Sequence, residues 1–142
     1  MMSPLRLKKE QEVLAERVPP NMYRFEGLNS FSPYLLIAAM TNSGKVYTLK
    51  IHLETFPENV PQVEVLNPIR DKKGKKLNEV SGQMHVLGSL HGHTLICHYS
   101  AASWTPQVSL YKIFIKCRLW FEMYEEHLKT GYNIDTFLKH QS

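Results

Sequence analysis

Between residues 22 and 54 the chain alternates or concentrates apolar positions in three successive runs. MYRFEGL (22–28) alternates, SPYLLIAAMTN (32–42) is mostly apolar, and KVYTLKIHLE (45–54) sets Val46, Tyr47, Leu49, Ile51 and Leu53 against polar neighbours. A period of two sends successive side chains to opposite faces of a strand. Asn42-Ser43-Gly44 separates the last two runs with a turn signal. These features predict an antiparallel meander with one buried face. In FPENVPQVEVLNP (56–68), Pro57 and Pro61 predict an irregular crossing, QVEVL a fourth short strand, and Pro68 its end.

The flanks carry a different period. Residues 4–17 predict a helix, with Ser3 as N-cap, Pro4 in the first turn, Leu7, Val13 and Leu14 on one face, and Pro19-Pro20 ending it. Residues 69–96 hold a basic loop, Gly82, Gly88, Gly92 and scattered apolar positions, and predict a long active-site loop poor in regular structure. From Thr105 to about Leu128, the residues Val108, Ile113, Ile115, Leu119, Trp120 and Met123 recur at helical spacing. Thr105 is the expected cap, Pro106 the first helical residue, and Gly131 the stop; residues 134–139 predict a short last helix. Strands in one run followed by helices in another predict an α+β domain spanning 1–142.

Composition narrows the function classes. The chain is 43% hydrophobic and 21% charged, with a formal net charge of +4. The one dense basic cluster, Asp71-Lys72-Lys73-Gly74-Lys75-Lys76, lacks interleaved aromatics and reads as a solvated loop. No nucleic-acid partner is therefore expected. The longest apolar run, YLLIAAM (34–40), has strand length, far short of the roughly 20 residues that span a bilayer, so no membrane partner is expected. The N-terminal LRLKKEQEVLAERV is charged throughout, without the apolar segment of an export signal. With two cysteines in that setting, a cytoplasmic location and two free thiols are expected.

The candidate chemistry lies in HGHTLICHYSAASWTP (91–106). Cys97 reads three ways: a metal ligand, a reactive thiol or a small buried hydrophobe. A zinc site built from His91, His93, Cys97 and His98, with His85 as an added ligand, matches no paired Cys/His knuckle, so no metal is expected. No cofactor is expected either. A thiolate is a strong nucleophile, and a thioester stays reactive toward amines. His93, His91 and His98 are the candidates to activate the thiol or to donate to an oxyanion, and His93 and His91 are the better ones because in extended backbone His98 points away from its neighbour Cys97. Cys117 falls among Phe114, Ile115 and Trp120 and reads as core. The aromatics Tyr111, Phe114, Trp120, Phe121 and Tyr124 wrap widely around the same helix, as a crowded core or in part a docking surface; Glu125, Glu126 and Lys129 read as its solvated face.

Three motifs in this order resemble the ubiquitin-conjugating-enzyme (UBC-like) family. Phe56-Pro57 and Pro61 match its Phe-Pro-x-x-x-Pro crossing, Leu95-Ile96-Cys97 its apolar setting for the catalytic cysteine, and Trp104-Thr105-Pro106 its Trp-Ser/Thr-Pro tripeptide. The resemblance runs from the N-terminal helix to Leu128. The family's His-Pro-Asn has no counterpart: Gly88-Ser89-Leu90-His91-Gly92-His93 holds neither Pro nor Asn. Short bacterial members also lack it, and KIFIKCRLWFEMYEEHLKTG (112–131) is similar to those of anti-phage CBASS operons. The resemblance implies a UBC-like fold, Cys97 as the nucleophile, and Trp104, Thr105 and Pro106 as binding residues that also anchor its loop. It further implies an acyl transferase whose cysteine engages the C-terminus of a partner cyclic-oligonucleotide synthase (CD-NTase) and primes it. The alternative within the same fold is an inert module that holds the partner without a covalent bond.

Overall fold

The computed structural model describes residues 2–77, 80 and 82–137. Helix α1 (Pro4–Arg17) begins as the sequence predicts, with the Ser3 hydroxyl accepting from the Arg6 N–H at 3.1 Å. The strands β1 (Tyr23–Glu26), β2 (Tyr34–Met40), β3 (Val46–His52) and β4 (Val63–Val65) form the expected antiparallel meander. Its register pairs Leu35 with Ile51, Ile37 with Leu49, and Leu49 with Val65. The alternating apolar set therefore lies on one face, where Leu35, Ile37, Leu49, Ile51, Val63 and Val65 are all buried.

The segment 69–96 departs from the expected loop. It contains two further strands, β5 (Val86–Leu90) and β6 (His93–Ile96), which pair as a hairpin. Six strands result, in the order β1-β2-β3-β4-β6-β5, with β6 inserted beside β4. The hairpin turn is His91-Gly92, both residues at positive φ, 53° and 78°. A two-residue turn of this kind needs left-handed backbone at both positions because its twist then matches the strands. Histidine is among the side chains that tolerate that region, though less readily than Asn or Gly. Gly88, at φ 89°, sits where the hairpin register slips between Val86 and Ser89 and supplies the bulge.

Helix α2 (Leu110–Thr130) packs across the apolar sheet face through Leu110, Ile113, Phe114, Cys117, Trp120, Phe121 and Tyr124. Tyr47 of β3 stacks on Phe121 with ring centroids 4.1 Å apart. The helix starts later than Thr105: Ser109 is the cap, its hydroxyl accepting from the Lys112 N–H at 3.0 Å. Pro106 instead lies in a turn closed by Val108 N–H to the Thr105 carbonyl. The reason is on α1. The Arg6 guanidinium takes up the carbonyls of Pro106 and Val108, and the buried Glu10 carboxylate accepts the Leu110 N–H at 2.8 Å. Those carbonyls face α1 and cannot open a helical ladder.

Two further expectations about α2 change. Ile115 and Leu119 are each 40% exposed, so they lie off the core stripe. Glu125 is buried: it accepts from the hydroxyls of Thr41, Ser43 and Tyr47 at 2.7, 2.8 and 2.8 Å, and pins the β2–β3 turn to the helix. Burial pushes the Glu125 carboxyl up, but those three hydroxyls outweigh it and hold it below its usual range. Cys117 is fully buried in the core, where burial pushes its thiol far up. Gly131, at φ 80°, ends α2 as expected. The last helix, α3, is described as Ile134–Phe137; positions 138 and 139 lie outside the described residues.

Candidate active site around Cys97

Cys97 stands immediately after β6, at the end of the strand that runs in from His93. Its N–H continues the hairpin ladder, donating to the His85 carbonyl at 2.8 Å. The preceding Leu95 and Ile96 are buried, whereas Cys97 is only partly buried. Burial alone pushes its thiol above the ordinary cysteine value, so the thiolate fraction at neutral pH is smaller than that of a free cysteine.

The Phe-Pro crossing, the cysteine segment and the Trp segment meet at one junction. The Trp104 indole N–H donates to the Pro57 carbonyl at 3.0 Å, and its ring stands edge-on to Phe56 at 6.2 Å and to Tyr99 at 5.4 Å. His98 is buried and donates Nε2–H to the Pro61 carbonyl at 2.9 Å. Arg6 of α1 lies over the Phe56 ring at 4.9 Å. The chain from Cys97 to Trp104 is thereby tied at both ends to the crossing between β3 and β4. Thr105 and Pro106 follow on the surface, both exposed.

The other two histidines serve a different group. Glu64, in the middle of β4, is wholly buried on the sheet face away from α2. His93 Nδ1 lies 2.7 Å from one carboxylate oxygen, His52 Nε2 lies 2.5 Å from the other, and His91 Nδ1 stands 3.4 Å from that second oxygen. Burial pushes the Glu64 carboxyl up; hydrogen bonds from His93 and His52 overcome that and hold it below its usual range. Four residues of extended chain separate His93 from Cys97, about 13 Å. Of the histidines suggested by the sequence, the structure thus places His91 and His93 on Glu64 and His98 on the Pro61 carbonyl. The imidazoles converge on carboxylate oxygens at hydrogen-bonding distance. Among the described residues, no group of three or more His, Cys, Asp or Glu side chains is placed to hold a metal ion.

Sequence reasoning missed His52, Glu64 and the His85 carbonyl. A signal existed for the first two: Glu64 is the polar residue between two buried valines, and the β3 alternation puts His52 on the same outer face. Neither a protein-family model nor a curated protein matches the chain. No helix among the described residues is long and apolar enough to cross a membrane.

Proposed function

We propose that the protein is a ubiquitin-conjugating-enzyme-like acyl carrier of bacterial CBASS defence, with Cys97 as the nucleophile and the C-terminus of a CD-NTase as its substrate. The observation that carries this reading is the junction itself. The Phe56-Pro57 crossing lies some forty positions before the Cys97–Trp104 segment, yet hydrogen bonds to the Pro57 and Pro61 carbonyls hold the two together beside a partly buried thiol. A structural cysteine needs no such framework.

The chemistry requires an activated carboxyl group, because a thiolate does not displace oxide from a free carboxylate. The partner's C-terminal residue arrives as an acyl-adenylate made by a separate adenylating enzyme. Cys97 Sγ attacks the acyl carbon, the C–S bond forms, the acyl–phosphate C–O bond breaks, AMP leaves, and the thiol proton passes to solvent. A downstream amine then resolves the thioester.

A second reading is favoured by a specific observation. Burial shifts the thiol toward its protonated form, and His91 and His93 are engaged on Glu64. A module that only grips the partner's tail needs no activated thiol. The Cys97→Ser variant separates the two readings. With the synthase and an adenylating fraction, the carrier accumulates a slowly exchanging ester that survives thiol and yields to hydroxylamine. Equal co-purification of wild type, Cys97→Ser and Cys97→Ala, with no ester in the serine form, overturns the carrier in favour of the module.

A further inference from the structure

His85 is held from both its backbone and its side chain beside Cys97. Its backbone is left-handed, at φ 52°, a region uncommon for a non-glycine residue although histidine tolerates it. Hydrogen bonds from both ends of the residue hold it there. The His85 carbonyl accepts both the Cys97 N–H at 2.8 Å and the Trp120 indole N–H at 3.1 Å, one for each lone pair. The imidazole Nε2 donates to Asp135 Oδ1 on α3 at 2.7 Å. His85 is buried, but the Asp135 side chain is 60% exposed, so as an ion pair it adds little to stability. What it contributes is direction: it fixes the ring, and with it the backbone whose carbonyl meets Cys97.

We propose that the His85–Asp135 pair is a latch through which α3, near the far end of the chain, positions Cys97 for the transfer proposed above. His85 and Asp135 are positioning residues, acting through the Cys97 backbone. With the latch closed, the strand end is drawn onto β5 and the thiol stays half-buried. With it open, His85 relaxes from its left-handed backbone, the ladder loses its last rung, and Cys97 moves into solvent. The titratable and charged groups at this junction are His85, Asp135, Cys97 and His98, while Asp71, Lys72, Lys73 and His127 line the adjoining cavity beside Met84. A partner that draws α3 away would free the thiol where it is needed.

The proposal rests on the carrier reading for its purpose, but its test uses Cys97 alone and no partner. Cys97 alkylation by iodoacetamide is followed across pH for wild type, Asp135→Ala, Asp135→Asn and Asn133→Ala, with each site resolved by peptide mass. Asn133 also ties the α3 region to the chain before β5, through Gln83. Opening the latch in Asp135→Ala is expected to raise the rate at pH 8 about threefold and to lower the pH midpoint by about half a unit, as burial is relieved. Asp135→Asn, which still offers an accepting oxygen, restores the wild-type profile, and Asn133→Ala leaves it unchanged. If Asp135→Ala fails to fold, His85→Asn takes its place, because asparagine tolerates the left-handed backbone without the ring. A profile that does not move in the variant that breaks the link overturns the latch, as does an equal shift in Asn133→Ala. Absence of any acyl adduct with the synthase would instead count against the carrier reading and leave this result standing.

Discussion

The carboxylate of Glu64 meets three imidazoles, from β3, from the β5–β6 turn and from β6, although it is buried in a sheet. A buried charge without such partners is strongly destabilising, so these histidines are explained by what they hold. His91 and His93 were singled out in the sequence and His52 was not, and their shared target was missed because HGH in a glycine-rich stretch looks like a loop near Cys97. Only the register of β4 with β6 shows that His93 lies beside Glu64. Replacing Glu64 by Gln puts an amide NH2 against an imidazole N–H and is expected to cost about 1–3 kcal/mol at pH 7. The native carboxyl is held below its unfolded range, so its contribution is full at neutral pH. It disappears as pH falls below about 4.3 and through the folded value. Urea unfolding at pH 7 and pH 3 checks this: wild type should lose more stability between the two than Glu64→Gln, and parallel losses would show that the Glu64 charge adds nothing to stability.

Among the elements, the hairpin β5–β6 was the least legible. Leu90-His91-Gly92-His93 lacks the Asn-Gly or Asp-Gly that announces a two-residue turn, and Gly88 interrupts the alternation at the bulge. By contrast, α1 and the first three strands were legible because their caps, prolines and alternation all agree. The start of α2 was misplaced for a tertiary reason: Arg6 and Glu10 claim the backbone at 106–110, and Ser109 becomes the cap. The turn account makes a specific claim about Gly92. Nothing lies within 4 Å of an added Cβ, so Gly92→Ala tests backbone strain alone. A loss of about 1 kcal/mol is expected, with amide exchange rising first in β5 and β6. A neutral substitution would mean that the left-handed turn is not adopted in solution.

At the scale of the whole molecule, the sheet and α2 form a two-layer core, and α1 closes the end where Cys97 is carried. The α+β order and the candidate cysteine could be read from the chain, but the assembly of the junction could not. Pro57, Pro61, His98 and Trp104 are joined through backbone carbonyls, which leave no mark in the residue pattern. His85 and Asp135, fifty positions apart, illustrate the same limit. We infer that this frame holds a cysteine that accepts an acyl group. Intact-mass spectrometry tests it most directly, on the protein co-expressed with a CD-NTase and an adenylating enzyme, for wild type and Cys97→Ala, with and without thiol. The account requires an adduct in wild type of the combined mass less one water, released by thiol and missing from Cys97→Ala. A pair that co-purifies without any such adduct would contradict it, and would leave Cys97 as part of a tail-binding surface.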